Sequence, residues 1–111
     1  MTLNNLVFIL MISLISSVGH SSNSLTDSCL IKVENSGSFI NASHVEQCVK
    51  LKRNESLDCL QHVGNSGVFI KPSHIAACGL ITNAAEVRCV GAYANSFFVT
   101  VKQIASCVGA K

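Results

Sequence analysis

Charge is scarce in this sequence. Asp, Glu, Lys and Arg make up 13% of its 111 residues and leave a formal net charge of +2. So weak a balance gives no reason to expect a nucleic acid or an anionic membrane surface as partner. Aromatic side chains are also rare, at 5%. A chain with room for one domain therefore has few large side chains from which to build its core. No apolar run approaches the roughly 20 residues needed to cross a bilayer.

Several chemical signatures are missing too. Structural zinc sites use cysteine pairs about two to four residues apart, whereas successive cysteines here are separated by at least ten residues. His44 and His74 occupy matching places, but Gln103 stands at the third such place, so no three-histidine metal site is available. No nucleophile motif of the G-D-S-G-G kind occurs. The adjacent pairs Ser43-His44 and Ser73-His74 cannot face each other from one helix as a nucleophile and its base must. The expectation is a protein without catalytic residues, metal or cofactor.

What the chain does have is one stretch presented three times. Cys29 to Cys48 reads C-L-I-K-V-E-N-S-G-S-F-I-N-A-S-H-V-E-Q-C, and Cys59 to Cys78 matches it at 11 of 20 positions. Cys89 to Cys107 is a worn third copy that aligns after one deletion, at the glycine of N-S-G. Ahead of them, Leu6 to Ile15 form an apolar run of roughly ten residues between a polar start and the small residues Ser17 and Gly19, the pattern of a secretory signal peptide cleaved after Gly19. Residues 20–28 read as a flexible lead-in.

All six cysteines follow that run. In a short exported chain an even count points to a disulfide framework. Six cysteines allow 15 pairings. Three similar units most simply close three similar bridges, Cys29–Cys48, Cys59–Cys78 and Cys89–Cys107, each worth roughly 3 kcal/mol on the loop-entropy account. Bridges between units remain the alternative.

Within each unit the sequence predicts a β-hairpin followed by a short helix. Cys29, Ile31 and Val33 alternate with Leu30 and Lys32 as in a half-buried strand. Asn35-Ser36-Gly37, Asn65-Ser66-Gly67 and the shorter Asn95-Ser96 read as hairpin turns. Ser43 with Glu46 fits a helix-capping box, Ser73 is a second cap, and Thr100 with Gln103 a third. Phe39, Phe69 and Phe98, with the Val and Ile positions, are the expected shared core. The predicted fold is therefore α+β: a small, disulfide-rich single domain over residues 29–111, built from three tandem units (29–49, 59–79, 89–108).

The function expected is that of a secreted, extracellular, non-enzymatic binding protein. Its candidate contact residues are the repeated turns Asn35, Ser36, Gly37, Asn65, Ser66, Gly67, Asn95 and Ser96, since loops on a rigid scaffold often carry function. The partner expected is an extracellular protein or other surface ligand, with no nucleic acid and no stable membrane insertion. A secreted protease inhibitor and an antimicrobial or toxin-like peptide are the alternatives. Asn41-Ala-Ser43 and Asn54-Glu-Ser56 are N-glycosylation sequons.

Overall fold

The computed structural model describes residues 24–111. The expected signal peptide and residues 20–23 of the lead-in lie outside the described residues. The rest is helical: α1 (Ser24–Asn35), α2 (Ala42–Val49), α3 (Asn54–Asn65), α4 (Pro72–Cys78), α5 (Ala84–Ala94) and α6 (Val101–Cys107). Each unit is thus a long helix, a six-residue turn and a short helix. There is no strand among the described residues.

The predicted β-hairpins are wrong, and the reason is periodicity. The run C-L-I-K-V fits a period of two, but it also places Cys29 and Val33 one helical turn apart, and those are the two fully buried side chains of α1. Ile31, assigned to the same strand face, lies on the other side and is 56% exposed. The stretches before each cysteine (Ser24–Ser28, Asn54–Asp58, Ala84–Arg88), read as a lead-in and linkers, extend the same stripe backwards and form the first half of each long helix. A pattern confined to the five residues after each cysteine could not show this.

The turns were misread for a related reason. Asn-Ser-Gly ends a helix here. Gly37 and Gly67 sit just past the C-termini of α1 and α3 with φ of +94° and +95°. There their N–H groups bond the carbonyls of Glu34 and Gly64. Glycine at this left-handed stop is as natural as in a hairpin turn, and local composition does not distinguish the two.

The caps are also shifted. α2 starts at Asn41, whose Oδ1 accepts from the His44 N–H at 3.1 Å, so the Ser43–Glu46 box does not form. α4 starts at Lys71 with Pro72 as its first helical residue, and Ser73 is not its cap. The Thr100–Gln103 box does form, with bonds of 3.2 and 3.0 Å.

The long helices α1, α3 and α5 pack side by side in chain order, and the short helices α2, α4 and α6 form a second layer against them. Three disulfides tie the layers together, Cys29–Cys48, Cys59–Cys78 and Cys89–Cys107, one inside each unit. Around them the core is aliphatic. Val33, Leu60, Val63, Ile70, Ile75, Ile81, Val90, Val99 and Ile104 are all essentially inaccessible, each contributing about 1.5–3 kcal/mol by burial. The phenylalanines are not part of it: Phe39, Phe69 and Phe98 are 94%, 63% and 69% exposed.

Candidate binding surface

The three turns between long and short helices lie along one edge of the stack. A repeated pair of hydrogen bonds aligns them. Ser36 Oγ donates to the Val33 carbonyl at 2.6 Å and accepts from the Ile70 N–H of the next unit at 3.0 Å. Ser66 Oγ does the same with Val63 at 2.6 Å and the Val99 N–H at 3.1 Å. The serines therefore serve the junctions between units. Of the candidate contact residues, only Asn35, Gly37, Asn65, Gly67, Asn95 and Ser96 are exposed.

The histidines complete each junction. His44 is buried; its Nδ1 accepts from the Asn41 N–H at 3.2 Å, which leaves Nε2 to donate to the Ile70 carbonyl at 3.0 Å. His74 caps α4 through the Lys71 N–H at 3.0 Å and has a backbone hydrogen bond with Val99. One ring thus caps its own helix and grips the following unit. Burial, reinforced by the Lys71 charge and opposed by the Val99 bond, holds the His74 imidazole below its ordinary value. Both side chains are buried parts of the helix caps. His62 lies half-buried over Gly91, where a β-carbon would come within 2.9 Å of its ring.

With serine and histidine committed to the junctions, the edge itself is aromatic. Phe69 lies against Gly37 and Phe98 against Gly67, each ring so close that a β-carbon on the glycine would meet it at about 3 Å. Each ring keeps most of its surface open, and Phe97 and Phe39 add two more. Asn35, Asn65 and Asn95 stand beside them, one per turn. Sequence reasoning missed this row by treating large apolar residues as core. The available signal was that the apolar positions spaced for helix burial are already aliphatic or cysteine.

Elsewhere the surface offers little chemistry. No group of three or more potential metal-ligating side chains occurs among the described residues. Both sequon asparagines are exposed, Asn41 at the start of α2 and Asn54 at the start of α3, while the Ser56 hydroxyl is buried without a partner. Glu86, which sequence reasoning did not single out, is buried and ties the chain end down. Its carboxylate accepts from the N–H of Gly109, from the Thr82 N–H at 2.6 Å and from the Thr82 hydroxyl at 3.0 Å. The Gly109 bond, followed by those from Thr82, holds its pKa below the ordinary glutamate value. No helix among the described residues is long and apolar enough to cross a membrane. Comparison with protein-family models, with curated proteins and with solved structures finds no match to this chain.

Proposed function

We propose that this protein is a secreted, non-enzymatic binding module that engages an extracellular protein along its aromatic edge. Export is supported by the apolar run Leu6–Ile15 and by three disulfides, which persist in oxidising compartments. The binding reading rests on one observation: Phe39, Phe69, Phe97 and Phe98 are all more than 60% exposed on one edge of a stapled stack. An exposed apolar row of this kind marks an interaction surface.

The partner that fits is an extended protein segment. Neighbouring helices pack about 8–10 Å apart, so the rings take apolar side chains about three residues apart on an extended chain. The exposed asparagine amides beside the rings suit that segment's main-chain N–H and C=O groups. Glycans on Asn41 and Asn54 belong to the same reading of an extracellular glycoprotein.

The test is selection from a displayed library of unconstrained peptides, using the oxidised, secreted protein as bait. The expected result is enrichment of sequences with apolar residues spaced about three apart, lost when Phe39 and Phe97 are both changed to Ser. Those two rings are the safest to alter, since neither covers a turn glycine. Enrichment that survives the double change would refute the proposal, as would no enrichment at all.

A further inference from the structure

A stacked array normally ends in polar faces that stop it from growing. The outer faces of the described stack are mixed: Asp27 and Glu34 stand at the head, yet apolar side chains remain open at both ends. At the head, Leu30 is half-exposed where its counterparts Leu60 and Val90 are fully buried, and Ile40 is 41% exposed where Ile70 and Val99 are buried. At the tail, Cys89 and Tyr93 are half-exposed where Cys29, Cys59, Val33 and Val63 are buried, and with Ala92 and Phe97 they line a shallow apolar depression.

Adjacent residues in each long helix form the internal junctions. One faces the preceding unit (Ile31, Gln61, Gly91) and the next faces the following unit (Lys32, His62, Ala92). At the first junction Lys32 donates to Gln61 at 2.8 Å. At the second the His62 ring fills the space over Gly91. The two unused members are Ala92 at the tail and Ile31 at the head, a small side chain facing a large apolar one. We infer that the tail of one copy receives the head of a second copy, continuing the stack with Ile31 seated at Ala92.

The polar half of the junction is present at the tail as well. Ser96, exposed, stands where Ser36 and Ser66 accept from the next unit's N–H. Gln103 spends its Oε1 on the Thr100 N–H, which leaves its amide N–H groups to donate where His44 donates to Ile70. The complementary groups at the head are the N–H and C=O of Ile40. Glu34 stands where Gly64 lies beside Ser36, so its carboxylate meets the donors Asn95 and Ser96. Unit three lacks the turn glycine, so the incoming Phe39 packs against the exposed Phe97. A contact of this head-to-tail kind does not close on itself as a twofold dimer does, so it builds open stacks or rings. Each added copy lengthens the aromatic edge.

Sedimentation velocity on the oxidised, secreted protein tests this. The wild type is expected to at least double its weight-average mass as concentration rises to about 1 mM, a weak contact of ordinary kind. Ala92→Lys installs unit one's own residue at that position and is expected to hold the chain monomeric, by placing an ammonium against Ile31. Adding Ile31→Gln recreates the Lys32–Gln61 pair across the contact and is expected to restore growth. Both residues already occur at these positions in other units, so folding is not at risk. A wild type that stays monomeric overturns the inference. So does an Ala92→Lys protein that assembles like the wild type, or a double variant that does not recover. Phe39 and Phe97 also meet in this contact, so peptide binding at the edge is read separately on the Ala92→Lys protein, which leaves both rings unchanged.

Discussion

Units one and two end their long helices on Asn-Ser-Gly and carry a histidine at the third position of the short helix. Unit three ends on Asn-Ser-Phe and carries Gln103 there. All three nevertheless form the same stapled helix pair, with the cysteine Cα atoms 5.6 Å apart in each. The glycine and the histidine are therefore not needed to build a unit. Within the chain both serve the junctions: the glycine admits the following phenylalanine, and the histidine grips the following carbonyl. Unit three lacks both.

The largest effect expected from this contrast concerns the staples. Replacing Cys59 and Cys78 together by Ala in the central unit should cost about 2–5 kcal/mol, read from urea unfolding. The same replacement of Cys89 and Cys107 should cost less, because Cys89 is half-exposed where Cys59 is fully buried. An equal or larger loss at the terminal pair would break the distinction between junction units and end unit.

Next come the turns. Gly67→Ala forces a side chain into the left-handed region and against the Phe98 ring, at a cost of about 1–2 kcal/mol. Ser66→Ala strips a partner from the Val99 N–H, with a loss of about 1–2 kcal/mol. Ser96→Ala, at the open end, should stay within about 0.5 kcal/mol of wild type in dilute solution. Equal losses from Ser66→Ala and Ser96→Ala would show that the serine belongs to the turn itself.

Substituting glutamine for His74 sharpens the same point. It keeps a cap acceptor but replaces the ring, and should cost about 0.5–1.5 kcal/mol at pH 7.5. It should also change the pH dependence. The His74 pKa is lowered in the fold, so the unfolded chain binds the proton more readily. Stability is fully present above the ordinary value of 6.5 and is lost as pH falls below it toward the folded value. Urea midpoints at pH 7.5 and pH 5.5 should therefore differ less in His74→Gln than in wild type.

The smallest effect is at the chain end. Glu86 is also lowered, so its contribution is present above the ordinary glutamate value of 4.5 and fades as pH falls through the folded value. Glu86→Gln should remove that acid limb and increase hydrogen exchange at Gly109. If the exchange rate does not change, the carboxylate is not what holds the end.

Much of this was legible in the sequence, and the errors have physical causes. The cysteine spacing and self-similarity already marked out three units, and the Thr100–Gln103 box was readable from spacing. The fold class was not. Cys29, Ile31 and Val33 satisfy a strand's alternation, while Cys29 and Val33 equally satisfy a helix, and so short a run holds too little periodicity to choose between them. Phe39, Phe69 and Phe98 were assigned to the core by size, yet the core was already filled by aliphatic side chains and the buried disulfides. Of the turn residues proposed as contacts, Ser36 and Ser66 proved to be engaged by Ile70 and Val99, residues more than 30 positions away.

The sequence by itself determined that one cysteine-bracketed stretch recurs three times, and that the third copy lacks the glycine and the histidine shared by the first two. Local patterning and residue chemistry suffice for that. Only the tertiary structure decided which side of each helix faces its neighbours, and so why Ile31 and Lys32, adjacent in sequence, look toward opposite ends of the stack. The same packing turned a serine and a histidine into clamps and left the phenylalanines outside. Those roles depend on contacts about 30 residues apart, and no window shorter than two units contains both partners.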